Sequence, residues 1–290
     1  MWLLLACSGS GPTDGKRDGP DADSDTDADS DADTDADADT DSDTDTDTDP
    51  GIWAPPTGTS WQWQLAGNPD LSLPVAVYDV DLFDTAQRDL DQLHADGKRV
   101  ICYFSAGSVE DWRPDAGRFP PGAVGRPLDG WPGERWLDVR DADVRAIMRT
   151  RLDLAVSKGC DAVEPDNVDG YQNATGFPLS RADQLDYDGF LAAEAHARRL
   201  SVGLKNAVGL VDALHARFDW ALNEECLSYR ECATLRPFVD DGKAVFHVEY
   251  VDRESQGPAK QADVCGDPSI AGFSTLVKTW DLTDWALPCP

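Results

Sequence analysis

From Trp53 onward the chain repeats one unit, a short β-forming run followed by a helix-compatible segment. Eight such runs occur: WQWQL (61–65), VAVYDVD (75–81), RVICYFS (99–105), DAVEPDN (161–167), LSVGLKN (200–206), DWALNEE (219–225), KAVFHVEY (243–250) and FSTLVK (273–278). Helical segments are expected between them, at Thr85–Asp96, Val144–Lys158, Ser180–Arg199 and Leu210–Arg217. A strand followed by a helical crossover rejoins its sheet in parallel. Eight such units within residues 53–290 give the count of a (β/α)8 TIM barrel.

Side-chain alternation supports the same arrangement. In the third run Val100, Cys102 and Phe104 oppose Tyr103 and Ser105; in the fourth, Ala162, Val163 and Pro165 stand against Glu164 and Asp166. In the fifth, Val202 and Leu204 oppose Gly203 and Lys205; in the seventh, Phe246, Val248 and Tyr250 oppose His247 and Glu249. The apolar face is expected to pack on the helices and the polar face to point inward. The polar residues gather at the C-terminal ends of the runs, where active sites of such barrels form. The inward set is then Gln62 or Gln64, Asp79 or Asp81, Tyr103, Ser105, Glu164, Asp166, Lys205, Glu224, His247, Glu249 and Lys278. Glu224 and Glu225 are adjacent, so only one of them can face inward.

Two carboxylates facing each other across a barrel mouth are the working parts of a glycosidase, one ionised and one carrying a proton. Crowded acids raise at least one pKa, and Lys205 is placed to hold a neighbour ionised. Bland roles compete: Asp166 and Asp169 suit caps of the following turn, and His247 suits an orienting hydrogen-bonder. Asp79, Asp81, Glu164 and Asp166 also form an oxygen set for Mg²⁺ or Ca²⁺; the two-carboxylate reading needs no metal and no cofactor. No histidine pair supports zinc, and no phosphate loop, dinucleotide fingerprint or serine-hydrolase elbow occurs. Trp61 and Trp63 in the first run and Trp112 after the third are candidates to stack on sugar rings; Trp220 reads as core.

The chain's ends carry separate signals. Residues 1–7 (MWLLLAC) read as a truncated signal with a lipobox, which makes Cys7 a lipidation candidate and a possible membrane tether. Residues 8–52 read as a disordered, Asp-rich linker, because alternating Asp with Ala, Ser and Thr buries nothing and repels itself. Residues 1–50 hold 17 aspartates against Lys16 and Arg17, half of the formal net charge of −30. The rest, residues 53–290, is still acidic, which disfavours nucleic acid and suits a cationic or neutral partner. Setting Cys7 aside leaves six cysteines, an even number consistent with disulfides in an oxidising compartment. Cys226 with Cys232 is the simplest pair; Cys265 with Cys289 and Cys102 with Cys160 are plausible among 15 pairings.

The motifs TSWQWQL, VYDVDLFDT, VICYFSAGSVEDWRPD, RWLDVR, GCDAVEPDNVDGY, VGLKNA, ALNEECLSYREC and VFHVEY resemble glycoside hydrolase family 114, the endo-α-1,4-polygalactosaminidase family. The resemblance spans residues 58–280. It implies a TIM barrel that cleaves galactosamine-containing polysaccharide with retention. It also implies catalytic carboxylates in the fourth and sixth strand motifs, here Asp166 in EPDN and Glu224 in NEEC. The expectation carried forward is a secreted or lipid-anchored, monomeric, extracellular or cell-surface endo-glycosidase. Asp166 is its nucleophile and Glu224 its acid/base. Trp61, Trp63, Gln64, Asp79, Tyr103, Ser105, Trp112, Glu164, Asp169, Lys205, Asn206, His247 and Glu249 are its sugar-binding set. The competing readings are a non-catalytic carbohydrate-binding lipoprotein and a barrel hydrolase acting on another α-glycan.

Overall fold

The structure, a computed structural model, describes residues 51–290. Cys7 and the aspartate-rich segment up to residue 50 lie outside the described residues.

Eight parallel strands follow one another in the sheet in chain order: β1 (Trp61–Gln64), β2 (Val77–Asp81), β3 (Arg99–Ser105), β7 (Ala162–Asp166), β8 (Ser201–Lys205), β9 (Trp220–Glu224), β10 (Val245–Val251) and β11 (Ser274–Thr279). A ninth, β12 (Leu287–Pro288), adds antiparallel to β11. Helices α1 (Gln87–Ala95), α2 (Ala142–Lys158), α3 (Arg181–Ala197), α4 (Val211–Leu214), α5 (Cys226–Tyr229), α6 (Arg236–Asp240) and α7 (Gly257–Val264) fill the crossovers. Each expected run holds one of the eight parallel strands. The long helices start where capping chemistry places them. Asp141 accepts from the amides of Asp143 and Val144 at the start of α2, and Ser180 with Asp183 forms a capping box on α3.

The sheet is curled. The first and eighth strands meet through the Trp61 indole, whose Nε1 donates to Ser274 O at 2.9 Å. The amides of Leu65 and Ala66 complete this seam on Leu282 O. No β-ladder joins β1 to β11 among the described residues, so side chains and a loop carbonyl bridge the place where a fully closed barrel would continue its ladder. An insertion also departs from the plain β/α repeat. Between β3 and β7, strands β4 (Ser108–Glu110), β5 (Val124–Pro127) and β6 (Glu134–Leu137) form a separate antiparallel sheet in the order β4-β6-β5.

Two apolar layers form. The outer one packs Val80, Val100, Cys102, Phe104, Val163, Val202 and Leu204 against Leu90, Leu93, Met148, Leu152 and Leu191 of the helices. The inner one, inside the curl, contains Trp61, Trp63, Ile101, Ala162, Trp220, Leu222, Phe246 and Val248. This corrects the expected facing of the seventh run. Phe246, Val248 and Tyr250 point inward, because the interior takes large rings from β1, β9 and β10, and His247 and Glu249 therefore point outward. Ala162 is inward as well. Disulfides join Cys102 to Cys160, Cys226 to Cys232 and Cys265 to Cys289, with Cα atoms 6.0, 4.8 and 5.3 Å apart. They tie β3 to the entry of β7, close the α5 loop, and fasten α7 to the C-terminal segment.

The Trp220 ring lies across Gly203 on the neighbouring strand, where an added Cβ would meet ring carbons at 2.4 Å. Both are inward-facing, so the glycine makes room for the indole that fills the curl. Gly203→Ala is expected to cost about 1–3 kcal/mol through overpacking, read as a lowered midpoint of urea or thermal unfolding.

Candidate active site

Period-two alternation along each parallel strand carries the inner face upward from apolar to ionic. Ile101 is followed by Tyr103, Ala162 by Glu164 and Asp166, Gly203 by Lys205, and Leu222 by Glu224. The strand register then makes these residues neighbours: Trp63 pairs with Asp79, Tyr103 with Glu164, and Val248 with Glu224.

Lys205 is the hub. Its Nζ lies 2.6 Å from Glu164 Oε1 and 3.5 Å from both Asp166 Oδ2 and Glu224 Oε2. The ammonium is also 4.6 Å from the Trp63 ring centroid and 5.7 Å from that of Tyr103. Burial works against its charge, but Asp166, Glu164 and Glu224 hold it well above the usual lysine range. Asp166 accepts from Tyr103 Oη at 3.2 Å and from the Asn167 amide at 2.7 Å. Glu224 accepts from Tyr250 Oη at 2.5 Å and Asn206 Nδ2 at 2.9 Å, and its own amide donates to Asn206 Oδ1. Burial pushes Glu224 up, yet Lys205, Tyr250 and Asn206 outweigh it and hold the carboxyl below the usual glutamate range.

Beneath this pair lies a second. Glu164 is fully buried, accepts from Trp63 Nε1 at 3.1 Å, and is pushed by burial up to about 7 against the pull of Lys205. Asp79 is equally buried, and neither of its oxygens meets a donor. Burial and the neighbouring Glu164 carboxylate raise it well above the usual range. Repulsion between the two carboxyls adds to burial at Asp79, which therefore favours its protonated form, and a proton there can be directed toward Glu164.

The chain leaves three of these strands through backbone that side-chain-bearing residues rarely adopt. Asn167, Asn206 and Glu225 have φ of 61°, 51° and 61°. Such strain persists where surrounding contacts fix it, and it gathers at functional sites. Here it turns the chain immediately after Asp166, Lys205 and Glu224.

The structure thus brings together Trp63, Asp79, Tyr103, Glu164, Asp166, Lys205, Asn206 and Glu224 of the expected set. Asp169 is half-buried near them, raised by burial and then by Asp166. Others take different roles. Trp61 is core at the seam, its ring tilted against Phe246 with centroids 4.5 Å apart, and Trp63 is 1% exposed, so neither indole face is open to a sugar. Gln64 anchors a loop through Ala66 O, Asn68 O and the Asp70 amide. Ser105 bonds Ser108 and Asn167, in a chain that continues to Glu134 of the inserted sheet. Trp112 is exposed beside that sheet, its ring over Gly133.

His247 and Glu249 face the outer helices rather than the mouth. Glu249 accepts from the Leu227 amide and Ser228 Oγ of α5 and from Lys260 Nζ at 2.7 Å. Burial is overcome by His247 and Lys260, which bring it down to about 2. It fastens the loop that follows Glu224. Cys226, Cys232 and His247 lie close enough to suggest a metal set, but the two sulfurs are spent in a disulfide. Lys278 is buried apart from the acid cluster, donates to Thr283 O, and is lowered by burial to about 7.

Sequence reasoning missed Tyr250, Asn167 and Trp280. Tyr250 was hidden by its apolar neighbours; the parity that puts Phe246 inside the curl puts Tyr250 inside too. Trp280 follows β11 and stacks on Tyr250, centroids 3.9 Å apart.

Comparison with known proteins names the class. The profile of glycoside-hydrolase family GH114 matches residues 42–290. The chain belongs to that family and is a glycoside hydrolase. The crystal structure of Aspergillus fumigatus Ega3 in complex with galactosamine superposes with a TM-score of 0.79 at 43% identity, covering 82% of this chain and 98% of that one. The glycoside hydrolase domain of PelA from Pseudomonas aeruginosa shares the fold, with a TM-score of 0.61 at 14% identity over 79% of this chain and 97% of that one. An uncharacterised protein of Deinococcus radiodurans is 28% identical over 209 residues, 63% of this chain and 67% of its own length.

The buried acid pair gives a test. Asp79→Asn keeps a donor toward Glu164 and is expected to retain activity within about threefold. Asp79→Ala leaves Glu164 without that donor and is expected to lose about tenfold or more in kcat. Steady-state kinetics on both variants check this; equal loss in the two removes the proposed proton from Asp79.

Proposed function

We propose that the protein is an endo-glycosidase that cleaves α-1,4-linked galactosamine-containing polysaccharide with retention of configuration. Asp166 is the nucleophile and Glu224 the acid/base. The observation that carries this reading is the single lysine within 3.5 Å of both carboxylates. Contact with one ammonium bounds those two oxygens at about 7 Å, which takes in the roughly 5–5.5 Å spacing of retaining enzymes and leaves out most of the inverting range. The substrate follows from the 43% identity to Ega3, which is bound to galactosamine, and from the acidic mouth, which suits a partly deacetylated, cationic polymer.

In the first step Asp166 attacks the anomeric carbon while Glu224 gives its proton to the departing glycosidic oxygen. In the second, Glu224 takes a proton from water, and the hydroxide equivalent displaces Asp166 from the same carbon. Tyr103 and the Asn167 amide hold the nucleophile, and Tyr250 and Asn206 hold the acid/base. Because these donors and Lys205 favour the Glu224 carboxylate, the first step draws on a protonated fraction that shrinks as pH rises.

Three disulfides suit an oxidising, extracellular location, and the lipobox at Cys7 offers a tether to a membrane. The enzyme is proposed to act as a monomer. Among the described residues no helix is long and apolar enough to cross a membrane.

The test is chain length. Wild-type protein is expected to shorten an α-1,4-galactosamine polymer, whereas Asp166→Asn and Glu224→Gln lose about 10³-fold or more with unfolding midpoints intact. Binding without shortening by the wild type would instead mark a lectin-like protein. Azide separates the roles on a substrate with a good leaving group. Attack in an Asp166→Ala site should give an inverted glycosyl azide, and attack in a Glu224→Ala site a retained one.

A further inference from the structure

The cleft does not end at Glu224. Tyr250, which donates to Glu224, lies against the Trp280 indole with the two planes 15° from parallel. Trp280 is 50% exposed and forms the wall between two hollows, of about 640 and 330 Å³. The larger is lined by Tyr250 and Trp280 and by Glu225, Asp252, Lys260 and Asp263. Its single ammonium is committed, since Lys260 Nζ sits 2.7 Å from Glu249. Glu225, Asp252 and Asp263 have side chains with no ion pair or hydrogen bond among the described residues. Their three carboxylates line the hollow against one nearby ammonium, Lys260, which is itself paired with Glu249.

The chain itself aims Glu225 there. Its amide donates to Val248 O at 2.7 Å and its φ is 61°, so the strand exit is fixed and successive glutamates diverge. Glu224 turns into the curl and Glu225 into the hollow. An aromatic wall attracts the C–H face of a pyranose, and carboxylates in excess of the ammonium attract a cation. A hexosamine with a free 2-amino group has both features; its N-acetylated form lacks the charge.

We propose that this hollow is a subsite for a deacetylated galactosamine unit next to the bond that is cut, on the Glu224 side. Trp280 is the stacking wall, and Glu225 and Asp252 read the amine. The proposal rests on Asp166 and Glu224 being the catalytic pair. With Glu224 as the acid, the unit held here belongs to the leaving chain. Selection for a free amine then resides in a position separate from the sugar that reacts.

The experiment uses a fully deacetylated α-1,4-galactosamine polymer and the same polymer after chemical N-acetylation, with kcat and KM measured on each. Trp280→Ala is expected to raise KM about tenfold for both. Glu225→Gln combined with Asp252→Asn is expected to raise KM about tenfold for the deacetylated polymer alone, so discrimination between the two polymers shrinks by the same factor. Unchanged discrimination in the double variant, with the wild type active, overturns the subsite and leaves the catalytic reading standing. If the wild type shortens neither polymer, the catalytic reading fails. Calorimetric binding of galactosamine oligomers then judges the subsite alone: equal affinity in wild type and double variant overturns it, and weaker binding in the variant supports it.

Discussion

One buried ammonium holds the mouth of this sheet together. Lys205, on β8, contacts Glu164 and Asp166 of β7 on one side and Glu224 of β9 on the other. Burying a carboxylate costs several kcal/mol. A unit charge pair at about 4 Å is worth roughly 4 kcal/mol at an effective dielectric of about 20, enough to offset that cost. Without the lysine, three acids crowded at one end of the sheet would repel one another with no opposing charge among them. With it, Glu224 stays below the ordinary glutamate range even though it is partly buried. The lysine in turn sits where it does because Gly203, two residues earlier on the same face, lets the Trp220 ring fill the curl beneath.

The layer under the hub sets its charge balance. Four carboxyls and one ammonium would leave a large buried negative excess. The preference of Asp79 for its protonated form reduces it, and Trp63 donates to Glu164. Outside the curl, Glu249 does unrelated work of comparable importance to the geometry. It gathers the amides of α5 and the Lys260 ammonium, so the turn that carries Glu224 and Glu225 is fixed from behind.

The strand count, the helices between them and the central acids were legible because they follow from local rules. Alternation with period two and crossover lengths belong to the chain alone, and so Asp166, Glu164, Lys205 and Glu224 could be placed at one end of the sheet. The facing of β10 was not legible. His247 and Glu249 are polar and Phe246, Val248 and Tyr250 are apolar, so hydropathy assigns the wrong side; only the need for large rings to fill the interior reverses it. The same limit misplaced Trp61 and Trp63, whose burial depends on strands brought in from elsewhere. The small sheet of β4, β5 and β6 was missed because its strands are three or four residues long and pair across loops that carry no clear period. Trp280 carried no signal of its own, since its place is set by the stack on Tyr250.

Membership in glycoside-hydrolase family GH114 and the likeness to Ega3 support a glycoside hydrolase acting on galactosamine-containing polysaccharide, and the hub geometry is where its catalysis is proposed. The most direct measurement is an NMR titration of the Glu224 carboxyl in the unliganded wild type and in Lys205→Met, alongside polymer cleavage. Removing a positive neighbour disfavours the ionised form. Glu224 should therefore titrate below an ordinary glutamate in the wild type and above it in the variant, with cleavage lost. A Glu224 that titrates alike in both proteins would contradict the role given to Lys205.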